Sequence, residues 1–168
     1  MDGYISYPRV DNTVYPSSLD LAATLKNIMG NPAYKPYCEE LLKKGNLKAT
    51  RGKKETTDHP PIYPTASATP DDLAPAEYKL YNLIARRFMA TLSDAAVVEG
   101  TKVTLDVQGE PFVAKGDVLV NPGFRAIYPY GLKKDEQLPS LSEGQEVVFG
   151  GATCTKKQTE PPARYSQG

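Results

Sequence analysis

Apolar residues recur at helical spacing through the first ninety positions and alternate with polar ones after Ser93. In "PSSLDLAATLKNIMGN", Leu21, Leu25 and Ile28 fall on one face, Ser17 stands where a capping hydroxyl would, Asp20 follows three residues later and Gly30 closes the run, which together predict a helix. "PAYKPYCEELLKKG" predicts a second, with Tyr34, Tyr37, Cys38, Leu41 and Leu42 inward and Pro36 in its first turn. "APAEYKLYNLIARRFMATLS" predicts the longest, its buried stripe formed by Leu80, Leu83, Ile84, Phe88 and Leu92 with Arg86 and Arg87 alongside. Beyond them, "VVEGTKVTLDV", "EPFVAKGDVLV", "GFRAIYPYG" and "EGQEVVFGGATCTKK" have period-two alternation broken by Gly and Pro, the pattern of strands. The fold class expected is therefore α+β, a helical unit over residues 1–93 followed by an antiparallel β unit over 94–168.

The predicted second and third helices are separated by "GNLKATRGKKETTDHPPIYPTASATPDDL". A connector that long and polar in a compact domain is either functional or disordered. Twenty Lys and Arg balance twenty Asp and Glu across 168 residues, so a polyanionic partner has to be sought in local clusters rather than in the total. One cluster stands out: Lys43, Lys44, Lys48, Arg51, Lys53 and Lys54, with Glu55 the first acid after it. Such a run is commonly a solvated face; facing a polyanion it would be ground for phosphate contacts, sequence-tolerant and salt-sensitive. No apolar run approaches the roughly 20 residues of a membrane span, and the first residues form no signal segment, so the expected location is cytoplasmic. Cys38 and Cys154 lie far apart without metal-site spacing, and both are expected to be buried thiols.

The chemistry concentrates in "GYISYPRVDNT", residues 3–13. Pro8 biases Tyr7 toward an extended backbone and Tyr4, Ile5 and Val10 favour strand, so Tyr7 and Arg9 are expected to project to one side. Eleven tyrosines occur in the chain, and a typical one packs its ring and hydrogen-bonds its hydroxyl; Tyr7 is distinguished by its neighbours. His59, the only histidine, sits in "DHPPIYPT". Taken alone it would be an ordinary loop histidine.

These stretches resemble type IA DNA topoisomerases. Ser6, Tyr7, Pro8, Arg9, Val10 and Asp11 match the Ser/Thr-Tyr-x-Arg-Ser/Thr-Asp/Glu signature around the strand-breaking tyrosine. "DHPPIYPT" is similar to the family's His-Pro-x-Ile-x-Pro-Thr segment, "YKLYNLIARRFMA" to the helix that follows, and "TEPPARYSQG" to the run that leads into the next domain. Four motifs in the family's order cover essentially the whole chain, and "YISYPR" and "GFRAIYPYG" look most like the archaeal branch. Val10 departs from the pattern, removing a hydroxyl beside Arg9 and Asp11.

The resemblance implies that Tyr7 attacks a DNA phosphodiester and forms a 5′-phosphotyrosine. Arg9 and His59 would act on the phosphate and Asp11 would support Arg9. The intact enzyme would pass a strand through the break and reseal it, relaxing negative supercoils in a toroidal multidomain protein whose arch includes the β unit. It also implies an N-terminal Toprim domain that binds magnesium through clustered acids. No such cluster occurs here, and Met1 stands two residues before the signature, so the chain is expected to be a fragment that is inactive alone and holds no metal itself. Expected partners are single-stranded or negatively supercoiled DNA, the Toprim and other domains of the parent, and a second copy of the fragment if unpaired strand edges meet. The alternatives are a noncatalytic nucleic-acid binding module with Tyr7 structural, or a β half that serves protein interaction.

Overall fold

The computed structural model describes residues 3–56 and 58–164. Three helices frame its first half: α1 (Leu21–Ile28), α2 (Lys35–Lys43) and α3 (Pro75–Thr91). Asp20, not Ser17, caps α1, its Oδ1 accepting from the Ala23 N–H at 2.9 Å. The expected start is displaced because the Leu19 N–H donates to the Pro16 carbonyl, closing a separate turn over Ser17 and Ser18. Pro36 lies in the first turn of α2, where the ladder needs no donor from it. Pro75 opens α3, and Glu77 reaches back to accept from the Ala74 N–H at 3.0 Å, half of a capping box.

The face of α3 that turns inward differs from the expected one. Tyr81, Ala85, Phe88, Met89 and Leu92 are buried, whereas Leu80 is 54% and Leu83 37% exposed. Tyr81 determines the rotation, because its hydroxyl donates to the Ala66 carbonyl at 2.7 Å and accepts from the Ala68 N–H at 3.2 Å. Its ring then belongs inside, and the residues at the following helical spacings go with it. They pack with Leu25, Ile28, Tyr34, Cys38 and Leu41 into the core. Cys38 is buried as expected, its thiol 3.6 Å from the Met89 sulfur and pushed up to about 12 by burial.

The long polar connector wraps this core and pairs with the start of the chain. Asn31, itself buried, donates to the Ala68 carbonyl at 2.7 Å and accepts from the Ala33 N–H at 2.9 Å, pinning the connector to the entry of α2. Ile5 and Pro64 form an antiparallel bridge, flanked by hydrogen bonds from the Ser6 N–H to the Tyr63 carbonyl and from the Thr65 N–H to the Tyr4 carbonyl. Farther along, the N–H groups of Asp11 and Asn12 both donate to the His59 carbonyl, and the Thr13 N–H to that of Lys54. Residues 3–13 therefore form a ribbon laid antiparallel along residues 52–56 and 58–65.

Two of the four strands expected in the second half form. β1 (Val97–Val107) and β2 (Glu110–Asn121) form a two-stranded antiparallel sheet. Gln108 (φ 56) and Gly109 (φ 89) make the two-residue turn between them, both in the left-handed region that a type I′ hairpin requires. "GFRAIYPYG" is not a strand: it begins with a 3-10 turn, η1 (Gly123–Ala126), held by the Arg125 N–H donating to the Pro122 carbonyl, and it buries Ile127 against the helices. "EGQEVVFGGATCTKK" is irregular and exposed, so Cys154 is a free, exposed thiol rather than a buried one. Alternation there finds no partner strand among the described residues, and without ladder bonds an alternating run has no reason to stay extended. Three helices beside an antiparallel sheet make the fold α+β. Of the motif "TEPPARYSQG", residues 165–168 lie outside the described residues.

Candidate active site

The ribbon's pairing with the connector gathers the chemistry. Tyr7, Arg9, Asp11 and His59 meet although 48 residues separate Asp11 from His59. The Arg9 N–H donates to the Tyr7 carbonyl at 2.9 Å, a three-residue γ-turn about Pro8, which Pro8 suits because its φ is fixed and it has no N–H to satisfy. Tyr7 is 69% exposed. Its ring stacks on His59, with centroids 5.5 Å apart and planes inclined by 27°.

Asp11 joins the other two groups. Its Oδ2 accepts from His59 Nδ1 at 3.0 Å and lies 3.3 Å from Arg9 Nε. The hydrogen bond from His59 holds the Asp11 carboxyl below its ordinary range, with the charges of Arg9 and Lys54 adding to the effect. An ionised carboxylate only accepts, so Nδ1 carries a proton and Nε2 is the nitrogen left for a ligand. Arg9 engages Asp11 through Nε, which leaves the terminal fork of a 66% exposed guanidinium for an anion. Among the described residues the Tyr7 hydroxyl has no hydrogen-bond partner.

The basic run divides between two places. Lys43 ends α2, Lys44 caps it and pairs with Asp94 at 2.6 Å, and Lys48 is exposed beyond. Arg51, Lys53 and Lys54 lie along the ribbon, where Arg51 pairs with Glu55. Lys54 exchanges bonds with Thr13: the Thr13 hydroxyl donates to the Lys54 carbonyl at 2.6 Å and accepts its N–H at 3.0 Å. Gly52 permits the close approach, since a Cβ there would stand 2.5 Å from Thr13 Oγ1. Arg86 and Arg87 pair with no acid among the described residues. Arg86 donates to Asn82 Oδ1 and the Ile127 carbonyl, and Arg87 lies over the Tyr128 ring at 5.3 Å.

Periodicity did not reveal Asn12 as the pin of the ribbon. It is buried, its Nδ2 donates to the Thr56 carbonyl at 2.7 Å, and its Oδ1 accepts from the Val14 N–H at 2.8 Å. The second bond is an Asx-turn, so "DNT" carried a turn signal that could have pointed to it.

Magnesium does not fit the residues gathered here. No group of three or more His, Cys, Asp or Glu side chains that could hold an ion occurs among the described residues. Asp11 and His59 would give two ligands, one nitrogen and one carboxylate already engaged by Arg9, whereas magnesium prefers oxygen in near-octahedral geometry. Nor is any helix among the described residues long and apolar enough to cross a membrane.

Comparison with known proteins agrees with the motifs. Residues 1–168 match the DNA topoisomerase family. The chain is 40% identical over 166 residues to DNA topoisomerase 1 of Archaeoglobus fulgidus, covering 99% of this chain and 25% of that protein. It is 36% identical to DNA topoisomerase 3 of Bacillus subtilis, covering 98% and 24%, and 34% identical to DNA topoisomerase 3-beta-1 of Mus musculus, covering 95% and 19%. The chain thus spans about a quarter or less of the length of these relatives. Matched from end to end and carrying the Ser6–Asp11 signature on its ribbon, it belongs to the type IA DNA topoisomerase family.

Proposed function

We propose that Tyr7 is the nucleophile of a strand-cleaving reaction on DNA, in which its phenolic oxygen bonds to the scissile phosphorus while the 3′ oxygen of the preceding nucleotide leaves. The observation that carries this reading is an exposed Tyr7 stacked on His59, which is joined through Asp11 to Arg9. The phenol gives up its proton, the departing 3′ oxygen gains one, and a phosphodiester bond is exchanged for a phosphotyrosine of similar energy. Reversal reseals the strand with no nucleotide consumed, and passage of another strand through the gap relaxes negative supercoils.

A phenol is a weak nucleophile at neutral pH and depends on position and charge. Arg9 supplies the charge, holding nonbridging oxygens with its free fork, and His59 Nε2 orients the phosphate. Asp11 keeps both in place, while Lys43, Lys44, Lys48, Arg51, Lys53 and Lys54 contact the backbone of the strand. In this reading the ligands for magnesium and the groups that protonate the leaving 3′ oxygen belong to the remaining length of the relatives. The chain alone then relaxes no plasmid, and the complete protein works on chromosomal DNA in the cytoplasm.

The test mixes the chain with a separately expressed Toprim domain of the family, magnesium and a single-stranded oligonucleotide labelled at its 3′ end. The label is expected to become covalently attached to the protein, to be lost in Tyr7→Phe, and to form about 10²–10³-fold more slowly in Arg9→Ala, the scale of a lost oxyanion donor. Binding without any adduct, unchanged in Tyr7→Phe, would instead identify a noncatalytic nucleic-acid module.

A further inference from the structure

Beside the ribbon lies a cleft of about 730 Å³ that shares only Arg51 with the residues of the proposed chemistry. Its volume falls within the roughly 300–1,000 Å³ of small-ligand sites. The rotation of α3 by Tyr81 sends Leu83 and Ile84 into this cleft instead of the core, and Val10 faces them from the ribbon. Phe124 and Tyr128 of the segment around η1 add aromatic surface. Arg87 completes the lining, its guanidinium over Tyr128 at 5.3 Å. The charged lining residues are Arg51, Arg87 and Asp94; Arg51 pairs with Glu55 and Asp94 with Lys44, so Arg87 is the charge left over and the cleft is net positive. Thr13, Thr50 and Ser93 stand among the apolar residues of the lining.

A flat aromatic group with polar edges, attached to a negative backbone, satisfies all of these features. Bases of single strands stack on aromatic rings and on arginine planes inside positive grooves. The cleft also begins at Val10, the residue next to Arg9, so a strand whose phosphate rests on Arg9 has a neighbouring base beside the opening. We propose that the cleft receives one unstacked nucleobase of the strand held at Tyr7, with Arg87 and Tyr128 as its stacking floor. The proposal rests on the reading of DNA as the substrate and adds a base-binding subsite to it. A protein segment is the competing occupant, but it would not by itself call for the excess positive charge.

The test measures binding of the chain to a series of oligonucleotides, each with one abasic position, at fixed salt. One position is expected to lose on the order of tenfold in affinity, the scale of one base–aromatic stack, and the others to change little. Arg87→Met and Tyr128→Leu, each checked for retained helical signal, are expected to abolish that position dependence, while Tyr7→Phe preserves it. A 5-iodouracil at the sensitive position is expected to photocrosslink to the peptide containing Tyr128. Uniform affinity across the series, a dependence that survives both variants, or a crosslink confined to β1–β2 would overturn the subsite while leaving cleavage by Tyr7 standing. Failure of the chain to bind any oligonucleotide would remove both readings, and a cleft insensitive to DNA would be left to a protein segment.

Discussion

The helical region and the hairpin are built on opposite terms. Residues from Leu25 to Leu92 supply all but one of the buried apolar side chains of the core, with Ile127 the exception. Along β1 and β2, by contrast, only Gly116 is buried, and Val97, Phe112, Val113 and Val120 are between 41% and 60% exposed. The hairpin has a ladder in register from Val98 to Val107, broken only by a shift at Val97, and a well-formed turn, yet both of its faces meet water. Local rules are therefore enough to fix which residues pair, but burial is what gives an element its stability, and a lone two-stranded hairpin is marginal. The site belongs to the stable region: His59 rides on a connector pinned by Asn31 and Tyr81, and the ribbon is tied to that connector.

The contrast can be tested directly. Phe88→Ala empties a fully buried position and is expected to cost about 3–5 kcal/mol, read as a lowered denaturant midpoint of the helical signal. Hydrogen exchange should meanwhile find the amides of β1 and β2 already poorly protected in the parent chain, and protection there equal to that of α3 would erase the distinction. Tyr81→Phe strands the Ala66 carbonyl and the Ala68 N–H. It is expected to cost about 1–3 kcal/mol and to raise exchange selectively across residues 58–73.

Asp11→Asn is expected to act through pH. The carboxyl is held below its ordinary range in the folded chain, so its contribution is present above the usual carboxylate range and disappears as the pH falls through the lowered value. Protection of the Asp11 and Asn12 amides should follow that acid limb in the parent and show none in the variant. An unchanged limb would mean that Asp11 does not couple the ribbon to His59. The smallest effect is expected for Val120→Thr on the open hairpin face, within about 0.5 kcal/mol by thermal melting.

Three helices and the hairpin were legible because each carries its own local signals: Asp20 before an apolar stripe, Pro36 and Pro75 in first turns, and Gly109 between alternating runs. The face of α3 was not, since it is set by bonds from Tyr81 to a connector far outside any periodic window. The strands expected after β2 failed for the converse reason, because alternation reports a preference that only a partner strand can realise. At the site, Tyr7, Arg9, Asp11 and His59 were readable from the motifs as residue types. Their assembly was not, because Asn12, Thr13 and Gly52 bring them together by side-chain and backbone exchanges that no spacing encodes.

The ribbon's tether has a kinetic consequence. Its contacts with the connector join positions as far apart as Ser6 and Tyr63, 57 residues along the chain, so they carry a large loop-closure entropy and zip up only after the helices between them have formed. Contacts made last are commonly the first released, here against the packing of Tyr4 and Ile5 on the core. Local opening of this seam would free Tyr7 from His59 on a timescale separate from global unfolding, giving the protein an intrinsic gate through which a strand could enter or depart.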